Sequence, residues 1–381
     1  MPIHHLLVGT FNTNLIATLA FDPTRKTLEV VAKNDGQAPH SWLALNQAKD
    51  RLYATSWTEP PGLASYRIDR VDRATSTRAP TVSHLNSVRT AARSGYVCVS
   101  ATTAYSAGGP TGEVYALDPA TGGFRVGSPV QRLDFVGDDE RQRDDGGVLD
   151  FGGLRHGSHS FDLSPDGKLA YVADIGRNAV FVFRVNSSDG TLALTEKNLA
   201  PRPTDGPRHV TPHPNGKYVY SLQEHSSMVD TFEVDRERGT LKWVRGVKII
   251  PEDHSPSLYW ADEVRVSPSE RFLYCSTRGL EPSTKGWIAV YALSPEGLPS
   301  SASPITLYET ATSGGWANAV EPAPAAYNTA PGVEFVALTD SEQGFVFVLG
   351  FDGERIEEVA RTKLEYGDGD EVVGAATAVW L

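Results

Sequence analysis

The chain repeats a tight turn followed by an alternating strand about every 50 residues, and this repeat constrains its fold more than any other feature. The clearest copies begin at Ser164-Pro165-Asp166-Gly167, His213-Pro214-Asn215-Gly216 and Ser267-Pro268-Ser269-Glu270. Proline fixes φ, and glycine or asparagine tolerates a positive φ, so the first two copies favour tight turns. The third copy lacks the glycine, so we expect a different turn there.

Seven such units can be counted along the chain. The first unit lacks its innermost strand, and the apolar run Ala375–Trp380 can supply it. Pairing of the two chain ends would close a ring and remove the open sheet edges. The sequence therefore predicts an all-β fold, a seven-bladed β-propeller in one domain over residues 1–381. An open β-solenoid is the alternative, although its repeats are usually shorter and more even.

Composition and charge argue against several classes of protein. A formal net charge of −12 disfavours non-specific binding to nucleic acid. No apolar run approaches the roughly 20 residues of a membrane-spanning helix, and the first residues lack the features of a secretory signal. A cytoplasmic location is therefore expected. Cys98 and Cys275 lie in apolar, strand-like runs and are predicted to be buried, reduced thiols.

One segment, residues 134–155, interrupts the repeat. It carries mixed charge and few apolar residues, which predicts a long surface loop. A lid over an active site is the alternative interpretation, because a histidine-rich segment follows directly.

Ionisable side chains recur at matching places in units four to six. His159 and Arg208 precede the first strands of units four and five, and Asp262-Glu263-Val264-Arg265 occupies that place in unit six. A second set follows the inner strands: Asp174, Glu224 and Arg278. Singly, such residues are more often structural. Because equivalent positions in neighbouring blades converge on the propeller axis, we expect these to meet at one mouth. Metal, phosphate-loop and nucleophile-elbow motifs are absent from the sequence.

These residues resemble those of a known family. The resemblance is carried by the following motifs: His159, Gly206-Pro207-Arg208-His209, His213-Pro214-Asn215-Gly216, Glu224, Ala261-Asp262-Glu263-Val264-Arg265 and Ser276-Thr277-Arg278-Gly279. They are similar to motifs of the lactonase-type seven-bladed propellers, a family that includes 6-phosphogluconolactonases and eukaryotic 3-carboxy-cis,cis-muconate lactonizing enzymes. Residues 312–320 and 374–380 look more like the lactonizing branch.

The resemblance implies an active site without metal or organic cofactor. In that family, the residues that match His159, Arg208, Glu224 and Arg278 are the proposed active-site set. The implied roles are His159 as general acid, Arg208 and Arg278 as carboxylate clamps, and Glu224 as an orienting residue or alternative acid. These roles suit the chemistry, because arginine binds carboxylates in bidentate fashion and imidazole exchanges protons near neutral pH.

Four further residues are candidates for substrate contact: Arg265, His156, Asp174 and Trp316. Trp316 departs from the lactonizing enzymes, in which we expect a polar residue, often histidine, at that place. Strand alternation lets Arg265 face a neighbouring blade, and His156 is offset from the usual histidine position. His209 is interpreted as structural.

The function that the resemblance implies is a cofactor-independent cycloisomerase that lactonises 3-carboxy-cis,cis-muconate, or a similar polycarboxylate, in aromatic catabolism. A hydrolase that opens a sugar lactone or another lactone is the first alternative, and a non-catalytic binding propeller is the second. The expected partner is a small anionic molecule, without nucleic acid or membrane. The exposed blade edges are compatible with a homo-oligomer.

Overall fold

A computed structural model describes residues 3–56, 58–69, 79–91, 95–136, 157–327, 332–367 and 371–381. In these ranges the protein forms strands β1 to β28 and two short 3₁₀ turns, Pro256–Leu258 and Ala325–Tyr327. The strands make seven four-stranded antiparallel sheets, so the predicted seven-bladed propeller is confirmed. Within the described ranges, no helix has the length and apolar character needed to cross a membrane.

The strands of each blade run from the propeller axis outward. Blade 1 consists of β28 (Ala375–Trp380), β1 (His4–Thr10), β2 (Leu15–Asp22) and β3 (Thr27–Asp35). Blades 2 and 3 are β4 (Leu43–Leu45), β5 (Arg51–Ser56), β6 (Gly62–Asp69), β7 (Thr81–Arg89), and β8 (Tyr96–Val99), β9 (Thr103–Gly108), β10 (Thr111–Ala116), β11 (Gln131–Asp134). Blades 4 and 5 are β12 (Ser158–Leu163), β13 (Leu169–Asp174), β14 (Ala179–Val185), β15 (Leu192–Leu199), and β16 (Pro207–Pro212), β17 (Tyr218–Gln223), β18 (Met228–Asp235), β19 (Thr240–Lys248). Blades 6 and 7 are β20 (Tyr259–Val266), β21 (Phe272–Gly279), β22 (Trp287–Ala292), β23 (Thr306–Glu309), and β24 (Val320–Pro322), β25 (Glu334–Thr339), β26 (Phe345–Phe351), β27 (Ile356–Lys363).

The ring closes through antiparallel pairing of β1 with β28. Leu6 of β1 lies opposite Trp380 of β28. The Trp380 ring is buried and packs edge-on against Phe21, with 6.3 Å between ring centroids. Its indole Nε1 donates a hydrogen bond to the Glu321 carbonyl oxygen at 2.9 Å. The two ends of the chain therefore share one sheet, and the predicted closure is confirmed.

Apolar side chains fill the space between neighbouring blades. Every residue of β13 is buried, because both faces of an inner strand are covered by adjacent blades. The outermost strand β19 instead has two buried residues and three consecutive exposed ones. Cys98 and Cys275 are both free thiols, Cys275 fully buried and Cys98 half-buried.

β-Bulges interrupt the innermost strands of four blades. The pairing of β12 with β13 passes over His159, and the pairing of β16 with β17 passes over Arg208. In β20, Asp262 and Glu263 lie within the irregularity, and in β28 the shift falls beside Thr377. A bulged residue leaves the hydrogen-bond ladder and its side chain is re-aimed. The bulges thus place polar side chains around the axis.

The three repeat turns share one conformation, so the expectation of a different third turn is wrong. Gly167 and Gly216 have φ values of +67° and +66°, and Glu270 at the matching place has +59°. Each of the three N–H groups donates to the carbonyl three residues earlier, at 2.8, 2.8 and 2.9 Å. The flanking strands impose this turn, and a glutamate adopts the left-handed conformation at a cost of about 1 kcal/mol.

Replacing Glu270 with glycine is expected to raise the free energy of unfolding by up to about 1 kcal/mol, because glycine adopts a positive φ without a Cβ clash. Urea unfolding followed by tryptophan fluorescence measures the change. Gly167→Ala is the matched reverse substitution, at a turn where an added Cβ meets open space, and it should destabilise the protein. Destabilisation by Glu270→Gly would contradict the turn assignment.

Trp380→Ala is expected to lower the free energy of unfolding by about 3–5 kcal/mol, because it empties a large buried site at the ring closure. Trp316→Ala is the control, since that side chain is 59% exposed, and it should cost less than about 1 kcal/mol. The same urea titration compares them. Equal losses in the two variants would show that Trp380 does not secure the closure.

Candidate active site

A cleft opens on the propeller axis where the innermost strands begin. Its empty space is about 540 Å³, including the opening to solvent. All seven blades contribute to its lining: Phe11, Ser41, Trp42, Gly95, Tyr96, His159, Arg208, Asp262, Glu263, Arg278, Trp316, Ala317, Ala319 and Thr377. Three of the four predicted catalytic residues therefore meet here, namely His159, Arg208 and Arg278.

Arg208 is held in place by two carboxylates. Its Nη2 lies 2.7 Å from Oδ1 of Asp262, and its Nε lies 3.0 Å from Oε2 of Glu224. Its Nη1 also donates to the Asp262 carbonyl oxygen. Burial opposes the charge of Arg208, but the neighbouring acids, Asp262 foremost, raise its pKa overall. The guanidinium is therefore a fixed positive charge at the cleft.

Arg278 approaches the same aspartate from the second strand of blade 6. Its Nε lies 4.0 Å from Oδ1 of Asp262, and its Nη1 donates to the Gly315 carbonyl oxygen at 3.0 Å. The guanidinium stacks over the Trp260 ring, 4.7 Å from the centroid. Burial lowers the pKa of Arg278 from its ordinary value. Asp262 thus gathers two guanidinium groups, and its Oδ2 is fixed by the Asn318 N–H at 2.8 Å.

Glu224 lies behind Arg208 and does not contribute to the described lining of the cleft. Its side chain is completely buried, and burial raises its pKa above the ordinary carboxyl value. The structure therefore places Glu224 as a positioning residue for Arg208. A direct contact with substrate, which an alternative proton donor would need, does not fit this location.

Glu263 is a cleft residue that belongs to the predicted segment Asp262-Glu263-Val264-Arg265 but was not among the individual site candidates. Its Oε1 lies 2.7 Å from Nδ1 of His209 and 2.9 Å from Nη1 of Arg265. Burial raises the pKa of Glu263 to about 8, so it is a protonated acid at neutral pH. Its position in the repeat could have indicated this role. In blade 6, Asp262-Glu263 occupies the bulge position that holds His159 in blade 4 and Arg208 in blade 5.

Arg265 is placed away from the cleft, in a cavity at the opposite end of the axis. Its Nε lies 2.8 Å from Oε2 of Glu321, and its guanidinium stacks over Trp42 at 5.2 Å. Substrate contact at the cleft, proposed for Arg265 from the sequence, does not fit this position. The difference is one of position along the strand: Arg265 lies on the same face of β20 as Glu263 but two residues, or about 7 Å, further along it.

The other three residues predicted to contact substrate, Trp316, Asp174 and His156, have three different outcomes. Trp316 lines the cleft mouth, with its ring 6.4 Å from that of Phe11. Asp174 is fully buried against Arg177 at 3.0 Å, and it lies outside the described lining, contrary to its predicted role. The reason is register: Asp174 pairs with Ser158 within the ladder and is not in a bulge. His156 and most of the 134–155 segment lie outside the described residues.

Aromatic rings form one wall of the cleft. Tyr96 packs against Trp42 with 3.9 Å between centroids, and it lies 5.1 Å from the rings of both His159 and His209. Burial raises the pKa of Tyr96 well above its ordinary value, so it stays a neutral phenol. The cleft therefore combines an apolar wall with two fixed cations, an arrangement suited to a flat, conjugated anion.

Comparison with known proteins gives the family. The family model described as lactonase, seven-bladed β-propeller, matches residues 5–312. The chain belongs to the lactonase family of seven-bladed β-propellers. The resemblance predicted from the motifs of units four to six is thereby confirmed.

Two curated relatives of this lactonase-family chain match it over nearly its whole length. It is 42% identical over 380 residues to muconate cycloisomerase 1 of Cutaneotrichosporon cutaneum, covering 99% of this chain and 98% of the relative. It is 26% identical over 390 residues to carboxy-cis,cis-muconate cyclase of Neurospora crassa, covering 96% of each. The solved periplasmic gluconolactonase of Pseudomonas aeruginosa superposes with a TM-score of 0.76 at 17% identity, over 100% of this chain and 99% of that one. At that identity the likeness concerns the fold alone.

Glu224→Gln is expected to weaken binding of a dicarboxylate such as adipate about tenfold, or about 1.4 kcal/mol, because Arg208 loses the charge that orients its Nε. Isothermal titration calorimetry measures the dissociation constant. Glu334→Gln is the matched control, since Glu334 is also buried but hydrogen-bonds Tyr274 between blades 6 and 7. Unchanged adipate binding in Glu224→Gln would remove the positioning role.

Proposed function

We propose that this protein is a cycloisomerase that lactonises cis,cis-muconate. One carboxylate oxygen adds to the far double bond, and a proton adds to the neighbouring carbon. The observation that carries the proposal is the pair of guanidinium groups, Arg208 and Arg278, gathered by Asp262 at the floor of an aromatic-walled cleft. A relative 42% identical over almost the whole chain carries the name muconate cycloisomerase 1.

The two arginines suit the two ends of a muconate dianion. One can bind the attacking carboxylate in bidentate fashion and fix the conformer in which its oxygen faces the double bond. When the new carbon–oxygen bond forms, the electron pair of the double bond moves towards the second carboxylate. The other guanidinium can stabilise the charge that collects there, and it is already in place before the reaction begins.

The reaction consumes one proton. A muconate dianion and one proton give a lactone monoanion, because one carboxylate becomes the ester of the ring and the carbon beside the other gains hydrogen. The donor must reach the substrate. Of the described lining residues, His159 offers an imidazole and Glu263 a protonated carboxyl group.

Trp316 supports a substrate with two carboxylates over one with three. It adds an apolar ring to the mouth at the place where a polar residue was expected, and Phe11 lies beside it. A third carboxylate would meet this apolar rim and would add a charge that Arg208 and Arg278 do not match. We therefore expect cis,cis-muconate to have a kcat/KM at least about tenfold above that of the 3-carboxy compound, a difference of about 1.4 kcal/mol. A sugar phosphate is disfavoured, since no lysine lines the described part of the cleft.

The test is an ultraviolet assay with purified protein, following loss of the diene absorbance of cis,cis-muconate and, in parallel, of its 3-carboxy derivative, with chelator present. The proposal predicts rapid loss with the first compound and appearance of the lactone in the product. Arg208→Ala should lower kcat/KM by about 10²–10³-fold, because it removes a preorganised charge. Arg355→Ala changes an exposed arginine far along the chain and should leave the rate unchanged. Absence of turnover with both muconates would overturn the proposal and direct attention to lactone hydrolysis.

A further inference from the structure

We propose that Tyr96 is a further catalytic residue, whose phenol hydroxyl donates a hydrogen bond to the substrate carboxylate that lies against Arg208. This is the carboxylate towards which the electron pair of the double bond moves. The inference rests on the proposed cycloisomerase function and gives the two arginines different tasks. Arg208 and Tyr96 receive the carboxylate on which charge collects, and Arg278 binds the attacking carboxylate.

The Tyr96 ring is fixed at the cleft by aromatic side chains from three other blades. Its centroid lies 3.9 Å from that of Trp42 and 5.1 Å from those of His159 and His209. The Trp42 indole in turn donates a hydrogen bond to the Val97 carbonyl oxygen at 3.0 Å. Tyr96 lines the cleft although only 4% of it is exposed. Because the ring is already immobilised, a hydrogen bond from its hydroxyl costs little further conformational entropy.

Gly95 allows this part of blade 3 to lie against blade 4. A Cβ atom at position 95 would be 2.8 Å from the His159 carbonyl oxygen, which is closer than a real side chain allows. Tyr96 follows directly and is the first residue of β8. The missing side chain therefore brings the tyrosine next to the bulge that carries His159, on the axis of the propeller.

The hydroxyl end of the ring faces the charged groups of blades 5 and 6. Arg208 is the charged side chain that acts most strongly on the phenol, and Glu263 and Asp262 follow. For Arg208 in turn, the electrostatic interaction with Tyr96 exceeds that with Glu224, whose Oε2 lies 3.0 Å from Nε. Such interactions weaken with distance. The phenol oxygen and the guanidinium are therefore neighbours at the floor of the cleft.

A carboxylate bound at Arg208 has room for a further donor. The Nε of Arg208 faces Glu224, its Nη2 faces the Asp262 carboxylate, and its Nη1 donates to the Asp262 carbonyl oxygen. About two of the five N–H groups of an arginine then remain for a ligand, whereas an ionised carboxylate has about four acceptor positions. The Tyr96 hydroxyl lies beside the guanidinium and can occupy one of the others.

The hydroxyl keeps its proton during the reaction. Burial raises the pKa of Tyr96 well above its ordinary value, so the group is a neutral donor at neutral pH. Its hydrogen bond to the substrate carboxylate becomes stronger as additional negative charge collects on that carboxylate. An interaction that is stronger in the transition state than in the bound substrate raises kcat more than it lowers KM.

The first experiment is Tyr96→Phe in the diene assay. This variant loses the hydroxyl and keeps the ring, so we expect kcat to fall about 10²-fold with KM within about threefold, as for loss of one preorganised donor. Tyr105→Phe is the matched control and should equal the wild type. Tyr105 is also buried, stacks on Phe161 with 5.0 Å between centroids, and lies outside the described lining of the cleft. Wild-type kcat in Tyr96→Phe would overturn the inference.

Tyr96→Leu separates hydrogen bonding from packing. Both Tyr96→Phe and Tyr96→Leu remove the hydroxyl, but only the leucine variant removes the aromatic ring. A hydrogen-bonding role predicts that the phenylalanine variant already loses most of kcat. A purely structural role predicts full kcat in the phenylalanine variant and loss only in the leucine variant, and that order would contradict the proposal.

A double-mutant cycle tests the assignment of Tyr96 to the Arg208 end of the substrate. Two groups that bind one carboxylate are coupled, so Tyr96→Phe should lower kcat at most about tenfold in an Arg208→Lys background. In an Arg278→Lys background it should still lower kcat about 10²-fold, because Arg278 binds the other carboxylate. Equal losses in the two backgrounds would remove the pairing of Tyr96 with Arg208.

A measurement without turnover separates this inference from the proposed function. Adipate has two carboxylates and no double bond, so it reports on binding alone. Its addition to the wild type and to Tyr105→Phe should give a tyrosine difference band in the near-ultraviolet spectrum, and Tyr96→Phe should lack this band. If the wild type turns over neither muconate but shows the band, the proposed reaction fails and the Tyr96 contact remains. If the band is absent, or persists in Tyr96→Phe, the inference fails even when the enzyme is active.

Discussion

The antiparallel pairing of β1 with β28 is the constraint on which the rest of the molecule depends. It completes blade 1 from two distant parts of the chain and fixes the ring at seven blades. Closure brings the innermost strands of all blades around one axis, with their first residues at the same end. The cleft is a direct consequence, since every blade supplies part of its lining. The tight interior packing of Trp380 then makes this geometry rigid enough to hold a preorganised site.

Within the ring, β-bulges in the innermost strands bring polar side chains to the cleft. A regular inner strand would direct its side chains between blades, where the apolar core lies. The bulges at His159, Arg208 and Asp262 turn these side chains towards the axis instead. Asp262 then performs two tasks, because it holds both guanidinium groups by one oxygen and adds a negative charge beside Glu263. Binding of substrate and retention of an acidic proton are thereby coupled through one carboxylate.

Much of the fold and part of the candidate site could be predicted from the sequence. The repeated turns, the apolar alternation and the run at Ala375–Trp380 predict the propeller and its closure because they are local patterns with one consistent solution. The matching positions of His159 and Arg208 predict the site for the same reason. The exact placement of side chains was not predictable: whether Asp174, Arg265 or Glu263 reaches the cleft depends on where a bulge lies and on how far along its strand each residue sits. The Glu270 turn was also mispredicted, because the strands on either side override the preference of one residue.

The closure also sets an order of events during synthesis. Thr377, which lines the cleft, belongs to the same strand that seals the ring. A nascent chain can therefore complete the sheets of blades 2 to 7 and still lack both the closure and this cleft residue. Until β28 has left the ribosome, β1 presents an unpaired edge, and unpaired edges recruit other strands. Activity and protection from aggregation should therefore appear together, in a single late step, and a chaperone that acts on this protein would have to shield its first strand for nearly the whole time of translation.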